Sequence, residues 1–286
     1  METIQERLEK LRKLSKERLE NSPEVRVSTE LACQAIELTR YRNERNLMLF
    51  PFCSTSRRKR LKAIEYKSSD GKRWLQVTAN YNFGMAKIWD FDILRFALSK
   101  AGEIRNQTNY FPSFVEFSSY ECLKAIGKDT KTGQNYIWLE EALSRLVSTT
   151  YRGNIFWDDA NLVEGFTLIS CKYEKHGDCI QKVRITFNER ILESVRCANG
   201  LLAVDSKVIH EESGIKKRLL ELVKISKGDA KEWIVGLKRL KEMCAHEGEL
   251  KKFKSQLKSY DLPWKLKFIK SVNGGENVCF FDLTTE

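Results

Sequence analysis

The sequence lacks the features that would place it in a membrane or in an oxidising compartment. No stretch of its 286 residues approaches the ~18 consecutive apolar residues of a membrane span. Met1–Arg18 is charged throughout and has no apolar middle like that of a signal peptide. Eight cysteines are scattered without a CxxC pair, as is typical of small buried residues in a reducing compartment. We therefore expect a cytoplasmic protein that does not contact membranes.

The sequence also lacks common catalytic and nucleotide-binding motifs. Gly127-Lys128 has neither the preceding glycine nor the following hydroxyl residue of a phosphate-binding loop. The closest approach to a zinc ligand set is Cys171, His176 and Cys179, which has no fourth ligand and is more typical of a polar hairpin tip. We therefore expect no enzymatic activity, no cofactor and no metal.

Positive charge is abundant but concentrated in one region. The chain carries a formal charge of +11, and residues 213–270 hold sixteen Lys or Arg against seven Asp or Glu, a net of +9. A basic surface gains affinity for duplex DNA because Lys and Arg release the counterions condensed on the phosphates. The charge pattern therefore indicates a DNA-binding region in the C-terminal third.

The same region has the sequence order of a winged helix-turn-helix. Apolar spacing predicts one helix from Ile215, a second over Trp233–Cys244 and a third over Leu250–Leu257. Two strands, Lys265–Ser271 and Asn277–Asp282, follow and predict a wing.

The third of these helices carries a basic face. Lys251, Lys254, Ser255 and Lys258 share one side at helical spacing, without an acidic residue between them. A charged face can be an ordinary solvated surface, but the recognition-helix position in this fold favours DNA. The residues predicted to bind DNA here are Lys251, Lys252, Lys254, Ser255, Lys258, Lys265, Lys267, Lys270 and Asn273.

The N-terminal half predicts a helix and then a hairpin. A helix is expected over Ser28–Tyr41, with Ser28 as its N-cap. Strands Leu61–Tyr66 and Trp74–Thr78 flank an Asp70-Gly71 turn.

A winged-helix order follows. After a helix that begins at Asp90, the pattern predicts a strand at Val115–Phe117, a helix capped by Ser118 and a helix over Tyr136–Ser148. Strands are predicted at Ile155–Trp157, Phe166–Tyr173 and Ile180–Phe187, of which the last two form a long hairpin.

The expected fold class is α+β, with two tandem winged-helix domains and an N-terminal helical extension. We assign residues 1–45 to the extension, 46–195 to the first domain and 196–286 to the second. Residues 189–212 are the expected connector, with a helix near Ile191–Cys197.

Polar residues outside the C-terminal face allow two interpretations. Arg57 and Arg58, in the run Arg57-Arg58-Lys59-Arg60, either contact phosphates or form a solvated loop. Arg145 is the candidate DNA contact of the first domain. Asp90 and Asp92 could form a carboxylate pair for a metal, but their place at a helix start favours a cap and a first-turn residue.

The stretch Leu49–Asn154, just over a third of the chain, resembles the replication initiator protein A family of bacterial plasmids. Its runs Ile-Trp-Asp-x-Asp-Ile-Leu and Leu-x-x-Ala-Leu-x-Arg-Leu-x-x-Thr-Thr are specific in combination. The matching positions are Pro51-Phe52, Ser54, Ile64, Tyr66, Val77, Ala86 to Leu94, Phe117, Tyr120, Leu123, Gly127, Tyr136, Leu139, Ala142-Leu143, Arg145-Leu146, Thr149-Thr150 and Asn154.

The resemblance implies a tandem winged-helix initiator that binds repeated duplex DNA sites at a plasmid origin and promotes local melting. It also implies recruitment of the host replication initiator and replicative helicase, and a possible homodimer. The C-terminal region is lysine-rich where family members commonly use more arginine, and the two residues contact guanine with different geometry. The alternatives are a transcription regulator that only binds an operator, and a module whose basic domain binds an acidic protein.

Overall fold

The computed structural model describes residues 22–156, 163–177, 179–270 and 274–282. Its helices are α1 (Pro23–Ala32), α2 (Arg45–Leu49), α3 (Phe91–Thr108), α4 (Ser119–Ala125), α5 (Gly133–Ser148), α6 (Glu189–Arg196), α7 (Ser206–His210), α8 (Gly214–Lys227), α9 (Leu237–Met243) and α10 (Leu250–Ser259). Its strands are β1 (Tyr41–Glu44), β2 (Ile64–Lys67), β3 (Trp74–Thr78), β4 (Phe114–Ser118), β5 (Thr150–Gly153), β6 (Glu164–Phe166), β7 (Ile169–His176), β8 (Cys179–Phe187), β9 (Leu201–Val204), β10 (Glu232–Gly236), β11 (Lys265–Lys270) and β12 (Glu276–Phe281).

The first described helix begins earlier than its sequence suggested. Ser22, not Ser28, is the N-cap of α1, and its side chain accepts a hydrogen bond from the backbone N–H of Val25. Pro23 suits the first helical position because its missing N–H has no partner to lose there. Tyr41, the expected end of this helix, instead opens strand β1, which pairs antiparallel with β9. The region before residue 46 is therefore not wholly helical.

The N-terminal unit contains α3, β4, α4, α5, β7 and β8. Strands β4, β8 and β7 form an antiparallel sheet in that order, so the last strand of the unit lies in the centre. Phe96 of α3 packs edge-on against Phe117 of β4, with ring centroids 5.0 Å apart. Leu139 and Leu143 of α5 are fully buried in the same core.

A second sheet, in the order β2-β3-β5-β6, combines two strands that precede α3 with two strands that lie between α5 and β7. The predicted hairpin of β2 and β3 is confirmed, with Gly71 at a φ of 72° in its turn. The strand predicted at Ile155–Trp157 is displaced: β5 comes earlier, because the chain pairs with β3 directly after α5 ends.

The C-terminal unit repeats the order of the N-terminal one. It contains α8, β10, α9, α10, β11 and β12, and its antiparallel sheet has the order β10-β12-β11. The predicted helix over Trp233–Cys244 is wrong in its first part, since Trp233 lies in β10 and stacks on Phe280 of β12. Leu219, Leu240 and Phe253 are fully buried at the centre of a separate hydrophobic core.

The domain boundaries at residues 45 and 195 stay a prediction. The pairing of β1 with β9 crosses both of them. The helix expected near Ile191–Cys197 is confirmed as α6. Within the described ranges, no helix is long and apolar enough to cross a membrane.

Candidate nucleic-acid interface

Helix α10 separates an apolar face from a basic one. Phe253 and Leu257 are fully buried, one turn apart, so the helix lies against the core of the C-terminal unit along that side. The remaining side presents four exposed residues predicted from the sequence to bind DNA. They are Lys251, Lys252, Ser255 and Lys258. We call these four residues the α10 face.

Lys254 differs from the other lysines of α10. Its ammonium group pairs with the carboxylate of Glu276 on β12 and lies 4.9 Å from the centroid of the Phe268 ring. The sequence pattern had indicated that this face has no acidic partner, and the structure corrects this, because β12 brings one from 22 residues further along the chain. Lys258 contacts the same ring at 5.5 Å but forms no ion pair with a described residue.

The lysines of the hairpin lie on its outer strand. Lys267 and Lys270 of β11 are exposed, and Lys265 is half-buried. Because β11 is at the edge of the sheet β10-β12-β11, exposed side chains on it extend the positive surface away from α10. Asn273 falls outside the described residues.

The loop that carries the Arg57-Arg58 run is anchored on the turn between α9 and α10. The Thr55 hydroxyl donates to the Cys244 carbonyl oxygen at 3.0 Å, and the Arg60 guanidinium donates to the Ala245 carbonyl oxygen at 2.6 Å. Ala245 has a φ of 51°, so the chain turns sharply there. These bonds hold the basic run of the N-terminal half against the C-terminal unit.

This anchoring separates two arginines that are adjacent in sequence. Arg58 lines a groove of about 550 Å³ together with Lys252 and Gln256 of α10 and His246 of the preceding turn. Arg57 turns away: its guanidinium donates to the carbonyl oxygen of Glu212 at 3.1 Å and lies 5.1 Å from the centroid of the Trp89 ring. Arg58 is therefore brought next to the α10 face, and Arg57 is not.

His246 links that groove to the core. Its ring packs on Phe253, with centroids 5.2 Å apart. Burial, together with the nearby Lys241 ammonium, lowers the pKa of His246 below its ordinary value. The other charged groups that line the groove are Arg58, Lys252 and the carboxylate of Glu247.

Arg145 does not belong to this surface. Arg145 is 6% exposed, and its guanidinium donates two hydrogen bonds to the carboxylate of Asp90, at 2.8 and 2.9 Å. The expectation that Arg145 contacts DNA is corrected, because both groups are buried and each neutralises the other. Asp90 is thus structural, as favoured from its position, although its carboxylate holds Arg145 and the backbone N–H of Lys87 instead of capping α3.

The helix of the N-terminal unit that corresponds to α10 is not basic. Apart from Arg145, helix α5 has no Lys or Arg, and Gln134, Ile137 and Glu141 are exposed on it. Glu140 pairs with Lys175 of β7 at 2.6 Å. The two units therefore share an order of elements but differ in the charge of this helix.

A buried ionic cluster joins the two units. Arg95 of α3 forms two bonds to the carboxylate of Glu221 on α8, at 2.8 and 2.6 Å, and one to Asp92 at 2.9 Å. The ammonium group of Lys217 on α8 lies 2.6 Å from the carboxylate of Asp92. Burial raises the pKa of the Asp92 carboxyl. Burial also acts to raise the pKa of Glu221, but Arg95, with Arg218 and the Asn43 amide, outweighs it, so that pKa is lowered. The two positive and two negative groups balance, so α3 and α8 are held in one orientation.

The cysteine and histidine residues of the long hairpin are spread along it. His176 and Cys179 are opposite each other beside the turn, whereas Cys171 pairs with Ile185 much further down the two strands. Across the described ranges, no three His, Cys, Asp or Glu side chains are grouped as metal ligands.

Sequence reasoning did not find Gln256, the anchor Arg60 or the acidic partner Glu276. Gln256 stands one turn after Lys252 on α10, so helical spacing contained the signal. Arg60 lies within the basic run, but nothing local distinguishes its buried guanidinium from the exposed neighbours. Glu276 is on a strand whose pairing with β11 had to be known first.

Comparison with known proteins gives consistent matches. The sequence model of the family described as replication initiator protein A matches residues 42–262. A protein of Wigglesworthia glossinidia brevipalpis, whose name proposes a role in replication, is 25% identical to this chain over 233 residues. The aligned region covers 78% of this chain and 81% of that protein.

Solved structures with a similar fold include two of RctB domains 2 and 3. One superposes with a TM-score of 0.55 at 12% identity and covers 79% of this chain and 92% of the other. The second has a TM-score of 0.51 at 10% identity and covers 83% and 95%. At these identities the likeness concerns the fold alone.

Proposed function

Because this chain belongs to the replication initiator protein A family, we propose that it initiates plasmid replication by binding repeated duplex DNA sites at an origin. The observation that carries this proposal is the α10 face, with Arg58 held beside it by the anchored loop. Four cations and a serine on one exposed surface suit a row of phosphates, which bind through charge and hydrogen bonding. No contact of this surface requires a cofactor.

The arrangement of elements supports a winged-helix assignment for both units. Each has the order helix, strand, helix, helix, strand, strand, and in each sheet the last strand lies between the other two. In a winged helix-turn-helix the third helix enters the major groove and the hairpin contacts the flanking backbone. By this correspondence α10 is the recognition helix, and Lys265, Lys267 and Lys270 belong to the wing.

The two units then have different roles. The C-terminal unit supplies most of the DNA affinity, because the corresponding helix α5 of the N-terminal unit exposes acidic and apolar residues instead. The N-terminal unit is an assembly surface. Strand β7 supports this proposal, because it is at the edge of the sheet β4-β8-β7 and six of its eight residues are exposed. An exposed strand edge can pair with a second copy of itself.

Binding energy, without nucleotide hydrolysis by this chain, drives the distortion of origin DNA. A bend of tens of degrees costs on the order of 1–6 kcal/mol, which several phosphate contacts on neighbouring repeats can supply. The bound protein then recruits the host replication initiator and the replicative helicase to the melted DNA. We propose no catalytic step for this chain.

The test is maintenance of a plasmid that carries the direct repeats of its own origin. We expect a variant with Lys251, Lys252 and Lys258 replaced by Ala to lose the plasmid, and a control variant Lys62→Ala, which changes an exposed lysine before β2, to keep it. Permanganate should oxidise thymines beside the occupied repeats of a supercoiled origin only with the wild type and the control. Three results together would make the protein an operator-binding regulator instead. They are occupied repeats, no reactive thymine even with host factors present, and replication of the plasmid without the gene.

A further inference from the structure

One face of the sheet β2-β3-β5-β6 is not buried against the core of either repeated unit. Ile64, Tyr66, Leu75, Val77 and Tyr151 are buried in the core. The residues that alternate with them point to the opposite face, because successive side chains of a strand project to opposite sides. Those residues are Glu65, Lys67, Trp74, Gln76 and Arg152, and each is half-buried or exposed.

A groove of about 590 Å³ crosses this open face. Its charged lining residues are Lys67, Lys72 and Arg152 against the single carboxylate of Glu65. All three cations are exposed, and in the described part of the chain none of them is within ion-pair distance of an acidic group. The groove is therefore positively charged and has unpaired donors.

The centre of the groove combines an aromatic ring with an amide. Trp74 stands directly opposite Lys67 on the neighbouring strand, and Gln76 stands between Glu65 and Arg152. Side chains opposite each other on adjacent strands are about 5 Å apart, so these groups form one continuous surface. The guanidinium carbon of Arg152 lies 6.0 Å from the centroid of the Trp74 ring.

We propose that this groove binds single-stranded DNA, with a base stacked on Trp74 and the adjoining phosphates held by Lys67, Lys72 and Arg152. Unpaired bases expose a π-face that stacks on aromatic side chains, and a positive groove follows the backbone. Gln76 can donate to and accept from the edge of a stacked base. A base pair within a duplex offers no such face, so the chemistry of the groove selects an opened strand.

The groove adjoins the unit proposed to hold the duplex. Arg239 of α9 donates to the carbonyl oxygen of Lys67 and to the hydroxyl of Tyr66, and its guanidinium lies 4.1 Å from the centroid of the Tyr66 ring. Strand β2 is thereby attached to the helix that precedes α10. The inference rests on the proposed initiator function, since it supplies the site that would hold one strand after melting.

Fluorescence anisotropy with a labelled oligo(dT) of about 16 nucleotides tests the proposal on the full-length protein. Trp74→Ala should weaken binding by about 5- to 150-fold, the range of one lost stacking contact, and Trp74→Phe should restore most of it. Replacing Lys67, Lys72 and Arg152 together by Gln should flatten the slope of log K against log salt by about 2, since each contact to a single strand contributes about 0.7. This triple variant alters only exposed side chains, so it keeps the test valid if Trp74→Ala unfolds the protein.

Control variants separate this site from the duplex surface. Lys62→Gln removes an exposed positive charge near β2 that does not line the groove, and it should leave oligo(dT) binding unchanged. The groove variants should bind duplex DNA like the wild type, whereas alanine variants of the α10 face should lose duplex DNA and keep oligo(dT). Retained duplex binding in the α10 variants would count against the proposed function and leave the groove assignment standing.

Four outcomes would overturn the assignment of the groove. They are unchanged oligo(dT) affinity in both Trp74→Ala and the triple variant, equal affinity for an abasic strand, tighter binding of oligo(rU) than of oligo(dT), and equal competition by polyglutamate. The last would make the groove a site for an acidic peptide.

Discussion

The α10 face makes a quantitative prediction about salt. Lys251, Lys252 and Lys258 are exposed and have no ion-pair partner among the described residues. If each contacts a phosphate, each contributes about −0.9 to the slope of log K against log salt, so replacing all three by Ala should flatten the slope by about 2.7. At about 0.1 M salt the same contribution corresponds to a loss of two to three orders of magnitude in affinity.

Lys254 should respond differently, because Glu276 already neutralises it. We expect Lys254→Ala to flatten the slope by clearly less than about 0.9, since a lysine paired within the protein displaces fewer counterions from DNA. Glu276→Gln should act in the opposite direction. It frees the Lys254 ammonium and should steepen the slope by up to about 0.9. The sign of the Glu276→Gln effect therefore tests the observed ion pair itself.

The assay is fluorescence anisotropy of a labelled origin duplex titrated at salt concentrations between about 50 and 200 mM. Lys62→Ala serves as the control, since it removes one exposed charge outside the surface. Thermal unfolding of the triple variant should match the wild type because its replaced side chains are exposed. An unchanged slope in the triple variant would place the DNA elsewhere on the protein. Equal effects of Lys251→Ala and Lys254→Ala would refute the role given to Glu276.

Three further predictions concern stability and assembly. Arg95→Gln should lower the free energy of unfolding in urea by about 3–5 kcal/mol, because it leaves two buried carboxylates short of their cation; a loss no larger than that of the exposed control Arg58→Gln would contradict this. The lowered pKa of His246 means that the unfolded chain takes up the proton first as the pH falls, so stability is full above the ordinary value of 6.5 and declines below it. His246→Gln should flatten that decline in melting temperature, and an identical pH profile would exclude His246 as its source. Tyr173 lies on the edge strand β7, beside Glu174 and facing Glu140, so Tyr173→Glu adds a third negative charge there. Like-charge repulsion should then weaken self-association of the full chain in sedimentation equilibrium. Unchanged association would remove β7 from the interface.

Local rules were sufficient where the signal lies within a few residues. The Asp70-Gly71 turn has Gly71 at positive φ, as an Asp-Gly hairpin requires. Ser118 caps α4 by accepting from the backbone N–H of Glu121 at 3.1 Å, as predicted. The alternation of apolar and basic residues along α10 likewise separates its buried and exposed faces. Each of these features depends only on neighbours along the chain.

Short apolar segments were ambiguous for the same reason. The pattern over Trp233–Cys244 predicts one helix, yet these residues lie in strand β10 and in helix α9 with the turn after it. A short half-buried strand has no period that distinguishes it from a helical turn. What decides the structure of Trp233 is its pairing with Phe280, 47 positions away, which the local pattern does not contain.

The sequence by itself determined the charge asymmetry of the chain, the amphipathic character of α10 and the hairpin that follows it, since these follow from composition and local spacing. The tertiary structure decided which cations remain free to bind. Arg145 is removed by Asp90, Lys254 is neutralised by Glu276, Arg57 is directed to Glu212, and Arg58 is brought beside Lys252. The physical reason is that a charge acts through its spatial neighbours, and a carboxylate can be placed beside it from any distance along the chain.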